Sequence, residues 1–141
     1  MAIWHSPVTP ADLNGAFNAG LAAHLGIVVT EIGDDWLRGT MPVTPLVHQP
    51  MGLLHGGASV VLAESLGSIA ANLCIDRTRF WALGQDINAN HLRAVRDGLV
   101  TGTVSAVHVG GRSQVWQIDI RDAAERLVCV SRLTIAVVPA A

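Results

Sequence analysis

The sequence predicts an α+β fold in which one antiparallel sheet of five to six strands curls around a single long helix. Three observations predict it. Residues 49–72, QPMGLLHGGASVVLAESLGSIAAN, contain a helix-length run that is apolar or small nearly all round, so this helix must be buried on most sides. Strand-like runs surround it in the chain, two before and four after. Turn residues separate those runs at hairpin distances, and a sheet wrapped about the helix satisfies all three observations.

Taken in order, Thr9-Pro10-Ala11-Asp12 opens a short amphipathic helix that runs to about His24. Proline sits in its first turn, and Leu13, Phe17 and Leu21 lie four apart on one side. Gly26 ends it. Residues 27–32 and 36–43 form two strands about a Gly33-Asp34-Asp35 turn. Pro42, Pro45 and Pro50 keep the chain irregular up to the long helix. Strands then follow at 80–92, 99–109, 113–121 and 126–138, joined through Asp97-Gly98, Gly110-Gly111 and the polar stretch from Asp122 to Glu125. No repeat, low-complexity stretch or linker interrupts the chain, so one domain over residues 1–141 is expected.

Composition narrows the function. Half of the residues are hydrophobic and only 14% are charged, which is little for a monomer that must cover itself with polar groups, so a multimer is expected. Net charge is −2 with no basic run, which argues against nucleic acid as a partner. Cys74 and Cys129 are far apart and show no metal-ligand spacing, as suits a reducing cytosol without structural zinc. The start, Met-Ala-Ile-Trp-His-Ser-Pro, lacks the regions of a signal peptide, so the expected location is the cytoplasm. A membrane-spanning reading of the apolar run is opposed by Glu64 near its middle, by Gly56-Gly57 and by three serines.

Two absences prune the chemistry. All nine basic residues other than histidine are arginine, and without lysine a P-loop, a Schiff base and pyridoxal phosphate attachment are excluded together. Tyrosine is also absent. Val61 stands where a G-x-S-x-G serine elbow around Ser59 needs its second glycine. The reactive group that remains is Glu64, a lone acid whose place in an apolar run is costly unless something uses it. His55-Gly56-Gly57 puts the free N–H groups of a helix start about two turns upstream of it. Glu64, Ser68 and Asn72 recur at four-residue spacing as one polar stripe, which is either a working face or merely a solvated edge.

The block from Gln49 to Ser65 is similar to the Gln-Pro-x-Gly-Leu-Leu-His-Gly-Gly-Ala-Ser-x-x-x-Ala-Glu-Ser signature of hotdog-fold acyl-CoA thioesterases. The group concerned contains hydroxybenzoyl-CoA and dihydroxynaphthoyl-CoA hydrolases and aryl-carrier-protein proofreading thioesterases. Similarity continues through Asn88-Ala89-Asn90-His91-Leu92-Arg93, Val115-Trp116-Gln117-Ile118 and Ser131-Arg132-Leu133-Thr134. This resemblance implies the hotdog fold and hydrolysis of an acyl thioester of coenzyme A or a carrier protein. Glu64 would attack the carbonyl carbon or act as general base on water, and the Gly56 N–H would polarise the carbonyl. Gln49 and His55 would orient the thioester, and Ser68 would hold the water. Each has a plainer alternative: a loop residue for Gln49, a helix cap for His55, and a back-bonded helix serine for Ser68.

By the same resemblance Gly84 lies beside the acyl group. His91, Leu92, Arg93 and Ala94, with His108, Val109, Gly110, Gly111, Arg112 and Ser113, would line the nucleotide and pantetheine end. No metal and no cofactor is implied, coenzyme A being part of the substrate. Met51 departs from the aromatic residue expected there, which bears on the shape of the acyl pocket. A homotetramer built as a dimer of dimers is expected, since a curled sheet on one helix leaves unpaired edges and an apolar back. Two other readings remain, a hotdog acyl-thioester dehydratase and a non-catalytic acyl-CoA-binding module.

Overall fold

The computed structural model describes residues 1–141. The chain runs α1 (Pro10–Phe17), α2 (Gly20–His24), β1 (Val28–Ile32), β2 (Trp36–Pro42), a 3-10 turn at Pro45–Val47, α3 (Gly56–Leu73), β3 (Phe80–His91), β4 (Leu99–Val109), β5 (Ser113–Arg121) and β6 (Leu127–Pro139). The six strands form one sheet in the order β1-β2-β4-β5-β6-β3, with every pairing antiparallel. This is the α+β arrangement expected, with α3 as the long helix.

Strand alternation decides which side chains meet α3. Leu37 and Met41 of β2, Val100 and Val104 of β4, Trp116, Ile118 and Ile120 of β5, and Leu133 and Ile135 of β6 all point inward and are buried. Against them α3 places Leu62, Leu66 and Ile69. Each such side chain, fully buried, stabilises by about 1.5–3 kcal/mol. The helix approaches closely because three glycines leave room. Gly39 and Gly102 are register partners, and a Cβ on either would lie 2.6 or 2.9 Å from the Leu66 methyls. On the helix itself, a Cβ on Gly67 would lie 2.5 Å from Leu133.

Both edges of the sheet are tied to helices by asparagine. Asn14 of α1 pairs its carboxamide with the N–H and C=O of Val29 in β1, both at 2.8 Å. Asn72 of α3 does the same to Ala82 of β3, donating to its C=O at 3.1 Å and accepting from its N–H at 3.4 Å. Val137 lies across from Ala82 yet sends its N–H to Arg112, so Ala82 turns its own polar groups to the free edge. Beyond Ala82 the long β3 edge has no neighbour within the chain.

Two expectations, the single first helix and the apolar back of the sheet, are corrected. The single helix to His24 is two, because Asn18 and Ala19 leave the helical region and Gly20 takes φ +60. Leu21 is consequently 58% exposed, and the Leu13, Phe17, Leu21 stripe buries fully only Leu13. The irregular stretch before α3 holds the 3-10 turn and a bridge between His48 and Leu54. The sheet's back is not apolar over β2, β4 and β5: Arg38, Thr101, Thr103, Gln117, Asp119 and Arg121 face outward, linked by bonds such as Arg38 Nε to Thr103 Oγ1 at 3.0 Å. The exposed large apolar side chains of the sheet are Trp81 and Leu83 on β3, with Val28 on β1 and Leu99, Val107 and Val109 toward the ends of β4.

Candidate active site

The start of α3 lies at the bottom of a cleft of about 380 Å3. His55 is the N-cap, its Nδ1 accepting the Gly57 N–H at 2.8 Å. Gly56 follows as the first helical residue, and its N–H finds no acceptor within the chain. Gly56 lines the cleft together with Gln49, Ser59, His91, Arg93 and Leu92. His91 comes so close that a Cβ on Gly56 would lie 2.7 Å from its Nε2. The approach from Gln49 is shaped by a tight turn: Gly52 takes φ +76, and the Gln49 carboxamide oxygen accepts the Met51 N–H. A free helix-start N–H with arginine and histidine at the rim, and no carboxylate in the lining, suits an electron-rich carbonyl attached to an anionic carrier.

Of the residues singled out from sequence, Gln49, Gly56, His91, Leu92, Arg93 and Ala94 are thus brought together. His55 stays outside the lining and takes the capping role. Leu53, Leu54, Ser59 and Val128 complete the wall without having been anticipated. Ser59 had a signal, since three residues after Gly56 places it on the same side of the first turn.

Glu64 is elsewhere. It is half-buried on α3, and its carboxylate rests on Gly84 of β3, where any Cβ would collide with Oε1. Gly84 also starts the bulge that shifts β3 before Asp86, so both of the roles considered for it, site neighbour and bulge, are found. Eight residues of helix put Glu64 about 12 Å from Gly56 along the axis. Within one chain, then, the Gly56 N–H and the Glu64 carboxylate do not meet. Ser68 is one turn beyond Glu64, and its backbone C=O accepts from Asn72 Nδ2 at 2.9 Å.

The two segments expected around the nucleotide also separate. Arg93 is at the far end of β3, on the rim of the cleft. Arg112 sits in the β4–β5 hairpin, closed by Gly110 N–H to Ser113 C=O at 2.9 Å, with His108 folded over Gly110. Its C=O accepts from Val137, level with Ala82 near the start of β3. Nine strand residues between Ala82 and His91 correspond to about 30 Å, too far for the two arginines of one chain to share one nucleotide.

Neither cysteine belongs to the site. Both are unpaired, and burial pushes the Cys74 thiol up to about 11.

The chain is similar to known proteins over nearly its whole length. The sequence profile of the Thioesterase superfamily matches residues 51–129. The 1,4-dihydroxy-2-naphthoyl-CoA hydrolase of Escherichia coli is 49% identical over 135 residues, which are 96% of this chain and 98% of that protein. The proofreading thioesterase EntH of Cronobacter sakazakii is 47% identical over 135 residues, with the same two shares. A crystal structure of a mutant thioesterase from Pseudomonas aeruginosa matches with a TM-score of 0.96 at 42% identity, covering 99% of this chain and 100% of that one.

Proposed function

Because the chain belongs to the thioesterase superfamily, with its hotdog fold and thioesterase activity, we propose that it hydrolyses aromatic or medium-sized acyl thioesters of coenzyme A or a carrier protein. Glu64 is the reacting carboxylate. It either adds to the carbonyl carbon and expels the thiolate, leaving an anhydride for water to cleave, or takes a proton from the water that adds. The Gly56 N–H and the dipole of α3 stabilise the oxyanion; one such donor contributes about 2.7–4 kcal/mol in other enzymes. Gln49 and His91 border the carbonyl, and Ser68 lies one turn from the carboxylate to hold water. The chemistry needs a carboxylate, an N–H and water, and coenzyme A enters only as part of the substrate.

The observation that carries this reading is the free Gly56 N–H at the bottom of a cleft rimmed by Arg93 and His91. Since Glu64 of the same chain lies about 12 Å away, the site is completed by a second copy, which also supplies Arg112 to the nucleotide end. The assembly is a homotetramer of two such dimers. No helix is long and apolar enough to cross a membrane, and the two unpaired cysteines fit the cytoplasm.

A free-thiol assay on benzoyl-CoA, crotonyl-CoA and palmitoyl-CoA tests the reading. Benzoyl-CoA should be cleaved well, palmitoyl-CoA poorly, and crotonyl-CoA without hydration of its double bond. Glu64→Gln should lower kcat at least about a hundredfold with little change in binding. Near-normal turnover by the folded variant would put the reaction elsewhere.

A further inference from the structure

A second cleft, of about 250 Å3, runs along α3 on the C-terminal side of Glu64 and is lined by Phe17, Ala22, Ser65, Ser68, Ile69 and Asn72. Ser65 follows Glu64 on the helix, Ser68 is one turn from it and Asn72 two, so the cleft starts at the residue after Glu64 and ends about 12 Å along the axis from it. Asn72 stands at that end. It also lines the next depression, of about 380 Å3, together with Leu73, Ile75 and Arg77. Arg77 in turn covers the Phe17 ring, with its guanidinium carbon 5.0 Å from the ring centroid. Asn72 and the Arg77–Phe17 stack therefore form a wall between two hollows that would otherwise run together.

The wall is fixed. Asn72 Nδ2 donates to Ser68 C=O at 2.9 Å and to Ala82 C=O at 3.1 Å, while its Oδ1 accepts from the Ala82 N–H at 3.4 Å. A side chain held from both α3 and β3 does not swing aside for a ligand as a free rotamer would. Displacing it would leave the polar groups of Ala82 facing methylenes, without partners.

We propose that Asn72 is a specificity-determining residue, ending the acyl cleft and confining the enzyme to acyl groups no longer than an aromatic ring or a medium chain. The inference rests on the reading of Glu64 as the reacting carboxylate. A carbonyl placed there directs its acyl group along α3 past Ser65 and Ser68 toward Ile69, and Asn72 is the first obstacle. A longer chain must turn out into water and forfeits the burial of its last methylenes.

The test is the chain-length profile of kcat/KM over hexanoyl-, octanoyl-, decanoyl- and lauroyl-CoA, for the full-length protein and its variants. The parent should fall off beyond octanoyl-CoA. Asn72→Ala, which opens the wall, should raise the lauroyl-to-hexanoyl ratio at least about tenfold, the scale on which a pocket discriminates by a few methylenes. Asn72→Leu keeps the branched outline of the side chain and loses the three hydrogen bonds that fix it, so its ratio should rise less than that of Asn72→Ala. Arg77→Ala, which leaves those bonds intact, should raise the ratio less than Asn72→Ala does. An unmoved ratio in Asn72→Ala overturns the proposal, as does an equal rise in Asn72→Leu, which would trace the effect to the anchoring of β3. Should Asn72→Ala not fold, Arg77→Ala decides, and no rise there overturns the proposal as well. A parent inert on every thioester would sink the underlying reading instead, whereas an active parent with an unmoved profile sinks this inference alone.

Discussion

The Glu64 carboxylate occupies space that Gly84 leaves open, and β3 accommodates it only because that position carries no side chain. Gly84 does not take a positive φ, so alanine there strains no backbone and acts through its methyl alone. Gly84→Ala should therefore fold with a near-parental melting temperature and displace the carboxylate. A misplacement of about 1 Å costs on the order of a hundredfold in rate, so kcat should fall by at least tenfold to a hundredfold. Full turnover in this variant would mean that the carboxylate works from another position. His55 shows the opposite relation between sequence and structure. Beside two glycines it invited a role at the thioester, yet its ring nitrogen serves the backbone of Gly57. A capping histidine and a site histidine leave the same trace in one sequence, because both need only to adjoin a helix start.

At the scale of elements, the β5–β6 turn is built by Asp122. Its Oδ1 accepts from the N–H groups of Ala124 and Arg126 at 3.0 and 2.9 Å, and its Oδ2 takes Arg126 Nε at 2.8 Å. The Arg126 backbone N–H, opposed by burial, holds its carboxyl below the ordinary carboxylate value. The stability this lends is fully present above the unfolded pKa, about 3.9, and is lost as pH falls through the lower folded one. The turn closes with Glu125 at φ 64, the chain's one non-glycine residue in the left-handed region. Glu125→Gly should raise stability by roughly 0.5–1 kcal/mol, net of the freedom that glycine adds to the unfolded chain. A lower melting temperature would show that the Glu125 side chain contributes more than its backbone strain costs. The polar stretch from Asp122 to Glu125 marked a turn in the sequence, but which residue would go left-handed was not legible, since turn chemistry favours aspartate there and the residue that adopts it is a glutamate. The strands and α3 were legible for a different reason. Their apolar patterns run over many residues, whereas the break at Asn18 answers to a tertiary demand. Asn14 ties α1 to the edge of β1, and the separate helix α2 lies between the break and the start of that strand at Val28.

At the scale of the whole molecule, α3 carries its N–H and its carboxylate too far apart to cooperate, and β3 marks where each one lies. Gly84 touches Glu64, and His91 touches Gly56. Two copies of β3 paired antiparallel about a twofold axis through Asn88 would, with the bulge after Gly84 taking up one residue, set Gly84 of each beside His91 of the other, bringing each carboxylate to the other's helix start. Asn72 already occupies the free edge at Ala82, which leaves the strand open beyond that point for such a pairing. The same operation brings the Arg112 hairpin of one copy toward the Arg93 rim of the other. Dimers joined at their sheet edges, with sites shared between subunits, are what the sequence predicts, but which copy supplies which group was not legible, because in one chain the two arginine segments and the two ends of α3 look like parts of one site. The consequence is a complementation between two inactive proteins. Gly56→Pro removes the N–H and pushes the neighbouring His91 ring aside, while the helix is kept, since proline is favoured at a first helical position and His55 already has the extended conformation that proline requires before it, φ −67 and ψ 129. Glu64→Gln removes the carboxylate. Each variant alone should be nearly inactive. Co-expressed in equal amounts with different affinity tags, they should form mixed dimers that hold one intact site each, restoring about a quarter of the parental activity. The doubly tagged fraction should carry nearly all of that activity, and the free-thiol assay on benzoyl-CoA reads it directly. Mixed dimers as inactive as their parents would show that Gly56 and Glu64 do not act across a shared interface.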